Sequence, residues 1–282
     1  GPLTMTPEAL FAQLLAHIDA TVLKGLFQVG AAVAIALLVV GVSRVRGLAL
    51  EREFSIALVR GFIQVLVMGS LIGVLLSVQY FWSWIILIGM IGGATWISKN
   101  RGDGLPGVTR VSFLAISFGA GIVIVAMTLI GAIESTVRDL VPIGSMIIAN
   151  AMKINSLALD RIRGEVISNR DEIEAGLALG APPSSVVTRH IQTGVRAALI
   201  PTIDSLKSLG WVWIPGIMTG MILSGENPLY AGIYQFVIMA MIFAAGGLTS
   251  MSSSLLISEH LFTDAEQLKQ IKSDEGSADA IE

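Results

Sequence analysis

Residues Gly61–Ser98 read GFIQVLVMGSLIGVLLSVQYFWSWIILIGMIGGATWIS, 38 residues without one Asp, Glu, Lys or Arg. A helix crosses a membrane with about 20 mainly apolar residues. The stretch is too long for a single buried core helix. It fits two membrane spans joined tightly at Ser77-Val78-Gln79-Tyr80. Tyr80, Phe81, Trp82 and Trp84 cluster at that turn, as aromatic residues do at a membrane interface. Charge is also absent from Gly25–Ser43, Val111–Ile133, Ser208–Gly225 and Asn227–Ser258. The pattern predicts an all-α polytopic membrane protein.

Composition agrees. Charged residues make up 14% of the 282 residues and hydrophobic ones 54%, where soluble domains carry roughly 25% charge. Mean hydropathy is +0.77. These numbers point away from a soluble globular chain and exclude a disordered one. The chain has no cysteine, which removes disulfides, thiolate metal sites and cysteine nucleophiles. Its three histidines, His17, His190 and His260, are far apart in sequence. The opening Gly1-Pro2-Leu3-Thr4 reads as a tag remnant, and no cleavable signal peptide is evident.

The apolar pattern predicts about seven spans, at 22–43, 55–77, 80–98, 110–133, 139–158, 203–224 and 229–256. Six is the alternative, should 139–158 or 203–224 fail to cross. Alternate loops carry 15 and 2 of the 18 basic residues, with Lys207 unassigned. The positive-inside rule then places the N-terminus outside and the C-terminus in the cytoplasm. The predicted organisation is an extracytoplasmic segment 1–21, a transmembrane domain 22–258 and an acidic cytoplasmic tail 259–282. The tail is expected to continue the last helix briefly and then fray.

One cytoplasmic insert, 160–200, reads as helix, turn, helix. Ser168 and Asp171 give an N-cap signal, and Asp171, Glu172 and Glu174 suit the positive end of a helix. Gly180-Ala181-Pro182-Pro183 stops that helix. Ser184 or Ser185 can cap a second, running to Pro201. By composition alone this is an amphipathic hairpin on the membrane surface or a docking surface for a soluble partner.

Glu174-Ala175-Gly176-Leu177-Ala178-Leu179-Gly180 resembles the Glu-Ala-Ala-x-x-x-Gly loop of ABC-transporter permeases, with Gly176 in place of the second Ala. A second resemblance covers the chain from the second span onward. It rests on VPIGSMIIANAM (141–152), LALGA (177–181), IPGIMTGMIL (214–223) and Tyr234-Gln235. These strings resemble the FetB family of ABC permeases linked to bacterial iron export, which is similar to plant aluminium-tolerance permeases associated with UDP-glucose. Ala149, Ile217 and Met221 depart from the usual family residues. The resemblance implies a non-catalytic permease subunit in the bacterial inner membrane, a homodimer working with a cytosolic ABC ATPase. ATP and Mg would bind in that partner, with no cofactor in this chain. Glu174, Leu177, Gly180, Ala181 and Pro182 would then dock the ATPase. The implied cargo is iron or another metal ion, with a nucleotide sugar as the alternative.

Polar residues within the spans are the other candidates, since ionisable groups at membrane depth are costly. Asn150 and Lys153 share a face of the fifth span, and Asp204 and Lys207 can pair on the sixth. Structural ion pairing, snorkelling and a pore-facing role all fit them. Met218, Thr219, Met221 and Gln235 lie on spans six and seven. Thioethers suit soft ions or simply fill gaps between helices. Glu134, Asp139 and Glu226 flank the outer ends as a solvated rim or a weak cation site. No phosphate-binding Gly-x-x-x-x-Gly-Lys-Ser/Thr loop occurs, so this chain is not an ATPase. Nucleic acid is not an expected partner. An ion-coupled secondary carrier and a membrane scaffold without transport are the competing functions.

Overall fold

The computed structural model describes residues 20–47, 50–75, 77 and 79–271. The predicted N-terminal segment, the end of the acidic tail and part of the Ser77–Tyr80 turn lie outside the described residues. Nine helices are described: α1 (Ala20–Val45), α2 (Glu51–Leu75), α3 (Tyr80–Lys99), α4 (Val108–Ile130), α5 (Val137–Ser168), α6 (Arg170–Ala178), α7 (Pro183–Ser208), α8 (Gly216–Leu223) and α9 (Pro228–His260). The chain divides into two compact units at Leu75 and Leu76. The first holds α1 and α2, which pack on each other and expose broad apolar faces. Gln64 and Met68 stand exposed on α2.

The second unit is built on α5 and α9, helices of 32 and 33 residues. At 1.5 Å per residue each is about 50 Å long, against a hydrocarbon layer of about 30 Å. The excess creates two cores. One lies among α3, α4, α5 and α9, with Leu87, Ile116, Ile147, Met241 and Ala245 buried in it. Close approach of α4 to α9 requires Gly119. A Cβ there would stand 2.6 Å from the Thr249 backbone nitrogen and 2.8 Å from the Ala245 carbonyl. The second core surrounds the C-terminal part of α5, where Leu159, Ile162 and Val166 meet Val111, Ile173, Val187, Ile191 and Ile257.

A polar knot ties the helices within the bundle. Asn155 of α5 is fully buried. Its Nδ2 donates to Ser98 Oγ of α3 at 2.6 Å and to Ser112 Oγ of α4 at 3.0 Å. Its Oδ1 accepts from Ser253 Oγ of α9. Where no water reaches, paired polar groups join helices without the cost of an unsatisfied donor.

Six described helices are long and apolar enough to cross a membrane: α1, α2, α3, α4, α5 and α9. The expected sixth span, 203–224, is not one continuous helix. α7 runs through Pro201 to Ser208, and α8 begins only at Gly216. Gly210 takes a positive φ of 80° and Pro215 caps α8, so the chain breaks between them.

Other local expectations are corrected too. Ser168 is the last residue of α5, and Asn169 caps α6. Neither Ser184 nor Ser185 caps α7. Pro182 is the cap and Pro183 the first helical residue, where proline's missing N–H costs nothing. The segment after α9 does not fray at once. Thr263 N–H donates to Gln267 O at 2.8 Å, and Lys269 N–H to Leu261 O at 2.9 Å. This strap returns Leu268 and Ile271 to the second core beside Leu261.

Candidate functional site

α5 and α9 form the wall of two successive cavities, roofed by the broken α7–α8 pair. The inner cavity, about 400 Å³, is lined by Asn150, Lys153 and Leu157 of α5, Thr202 and Ser205 of α7, Trp213 of the break, and Met239 and Ile242 of α9. Asn150 Nδ2 donates to the Ile242 carbonyl at 3.2 Å, which fixes its amide. Ser205 Oγ donates to the Pro201 carbonyl at 2.8 Å. Lys153 has no ion-pair partner among the described residues. The other predicted pair forms away from this lining: Lys207 Nζ stands 3.9 Å from Asp204 Oδ1, with both side chains exposed.

The second cavity, called outer below, is about 720 Å³ and lies toward the N-terminal end of α5. Glu134, Arg138 and Asp139 line it at the start of α5, Met221 and Ser224 on α8, and Glu226, Tyr230 and Tyr234 around the start of α9. The structure thus brings the three expected rim carboxylates to one cleft. They do not converge further: among the described residues no three His, Cys, Asp or Glu side chains are grouped closely enough to hold a metal ion. Thr219 Oγ1 donates to the Pro215 carbonyl at 3.1 Å, so that hydroxyl serves the α8 backbone. Met218 N–H donates to Oε1 of buried Gln235 at 3.3 Å. Gln235 thereby holds the orphan first turn of α8 against α9.

A third cleft, about 540 Å³, lies at the other end of α5. Glu174, Leu177, Gly180 and Ala181 line one side; Ala265, Glu266, Gln267 and Leu268 of the strap line the other. Gly180 N–H donates to Leu177 O at 2.9 Å and Ala181 N–H to Gly176 O at 3.1 Å. With Gly180 at φ 86° this is a Schellman cap. Buried Ile173 and half-buried Leu177 anchor α6 in the second core, leaving Asp171, Glu172 and Leu179 exposed at the tip. Glu174 Oε1 accepts from Arg170 Nε at 2.7 Å. Pro182 is exposed at the turn. The strap's share in this cleft escaped the sequence reading, because the acidic 259–282 segment masks the apolar spacing of Leu261, Leu268 and Ile271.

A family profile described as "Uncharacterised protein family (UPF0014)" matches residues 26–262. The chain is 32% identical over 249 residues to Protein ALUMINUM SENSITIVE 3 of Arabidopsis thaliana, covering 88% of this chain and 91% of that one. It is 32% identical over 240 residues to the probable iron export permease protein FetB of Escherichia coli (strain K12), covering 84% and 93%. To the UPF0014 membrane protein STAR2 of Oryza sativa subsp. japonica it is 30% identical over 248 residues, covering 87% of each. No solved structure matches the chain significantly.

Proposed function

The chain belongs to the UPF0014 family of membrane proteins, and on that premise we propose that it is the permease subunit of an ATP-driven ABC exporter. Its cargo is iron or another metal, the assignment supported by the name of the bacterial relative. The observation that carries the ATP-driven reading is the α6 elbow. A nine-residue helix is held to the second core by Ile173 and half-buried Leu177 and ended by a glycine at positive φ. It presents acidic groups and Leu179, which is 89% exposed. The elbow is joined to α7 by residues 179–182 alone. A soluble ATPase gripping α6 would pull α7 and, through the break, α8. Those two elements roof both cavities, so the same pull opens one and closes the other. The permease acts as a homodimer with two ATPase subunits, the elbow facing the cytoplasm.

The test is reconstitution with ABC ATPase subunits from the same genome. One is expected to co-purify and to show ATP hydrolysis that rises with iron in proteoliposomes. Gly180→Pro and Glu174→Arg should lose that subunit while the permease remains folded. Normal binding and coupled hydrolysis in both variants sinks the docking assignment. Transport by the purified chain without ATP sinks the reading in favour of a secondary carrier.

A further inference from the structure

We propose that the inner cavity binds an anionic, oxygen-rich group, so that the cargo crosses as an anion rather than as a bare metal cation. This rests on the permease reading for its physiological meaning, though the binding itself needs no ATPase. Lys153 is exposed and lines the cavity with no ion-pair partner among the described residues, and no carboxylate among them lines it with Lys153. The nearest acidic candidate in sequence on α7, Asp204, stands 3.9 Å from Lys207 and is absent from the lining. Asn150 and Thr202 add neutral polar groups to the lining, whereas the Ser205 hydroxyl proton is already given to the Pro201 carbonyl. Such a set solvates an oxyanion through charge-assisted and neutral hydrogen bonds. It has nothing to neutralise a hard divalent ion, which demands carboxylate or several carbonyl oxygens. The two thioethers, Met146 and Met239, suit soft ions, and hard ions ignore them.

The carboxylates of the outer cavity do not reverse this choice. Asp139 and Lys153 are separated by 14 positions of α5, about 21 Å, more than twice the screening length of about 8 Å in physiological salt. That cleft holds three carboxylates and one guanidinium, Arg138, so an anion that leaves Lys153 toward it meets a lining of net negative charge, which favours release. A volume of about 400 Å³ accepts a compact polyanionic headgroup. The shared chemistry covers two sources: a phosphorylated compound, or a metal carried by a polycarboxylate chelator.

The experiment is calorimetric titration of the full chain in detergent with pyrophosphate, citrate, ferric citrate and Mn²⁺. Pyrophosphate or citrate is expected to saturate below about 1 mM, and Mn²⁺ not to. Lys153→Met should weaken the bound anion about tenfold or more, the loss of one charge-assisted contact. Lys153→Arg should restore it, which separates charge from a folding defect. Preference for pyrophosphate assigns a phosphorylated cargo, and preference for citrate or ferric citrate a chelated metal. The proposal is overturned if no anion saturates in that range, if Lys153→Met binds as the unmodified chain does, or if Mn²⁺ is the ligand retained. ATP-dependent transport with any of these results would leave the permease reading standing alone.

Discussion

Asn155 shows what one side chain can decide at membrane depth. Its amide meets hydroxyls on three other helices, and it is fully buried. Asn155→Leu keeps the volume but strips partners from Ser98, Ser112 and Ser253. Measured interhelical bonds in membranes are individually modest, yet orphaned hydroxyls add to the loss. Thermal unfolding in detergent should show a destabilisation of about 1–3 kcal/mol, and an unchanged midpoint would mean the knot contributes nothing. Gly119→Ala tests packing of the opposite kind. Its new methyl would meet α9 backbone, which cannot swing aside as a side chain can. A loss of about 1–3 kcal/mol is expected from forced overpacking. The sequence marks Asn155 as a polar residue in a span. It does not reveal the partners, which lie 43 to 98 positions away. Lys153 was legible for the same reason, because an ionisable residue in an apolar run is conspicuous. That it stands apart from Asp204 depended on the rotation of α7, which periodicity does not report.

At the scale of elements, uniform apolar runs were easy to read and interruptions were not. The spans at 80–98 and 110–133 match α3 and α4 within three residues. The run 203–224 looks equally apolar, yet Gly210 and Pro215 divide it. A break in the hydrocarbon layer is tolerated where backbone groups find internal partners or line a cavity. Here Ser208 O accepts from Val212 at 3.0 Å and Trp213 O accepts from Gly210 at 2.9 Å, and Trp213 lines the inner cavity. The strap after α9 is the reverse case, an ordered element in a polar stretch. Leu268 is 8% exposed and packs with the α5–α6–α7 core. Truncation to Ala should cost about 2 kcal/mol or more locally. Hydrogen exchange should then accelerate across 261–271 while amides near Ile147 stay protected. Equal protection in both regions would show that the strap is not anchored by this side chain.

For the second unit as a whole, α5 serves as a ruler. α6 follows its C-terminal end, whereas Ser224 and Glu226 share a cleft with Glu134 and Asp139 at its N-terminal end. About 48 Å of helix separates the two ends. The chain from α6 to Ser224 therefore travels the full length of α5, although neither α7 nor α8 alone has the composition of a span. We propose that α7 and α8 together make a seventh crossing beside the six described helices long enough to span, the odd number that the basic-residue count predicts. The absence of cysteine makes this directly measurable. Ala178→Cys and Ser224→Cys place one thiol at each end of the ruler. In intact cells a membrane-impermeant maleimide should label the cysteine at 224 and reach the one at 178 only after permeabilisation. Labelling of both from outside would mean that α7–α8 does not cross. The reversed pattern would invert the orientation, moving the α6 elbow away from any cytosolic ATPase and removing the premise of ATP-driven coupling.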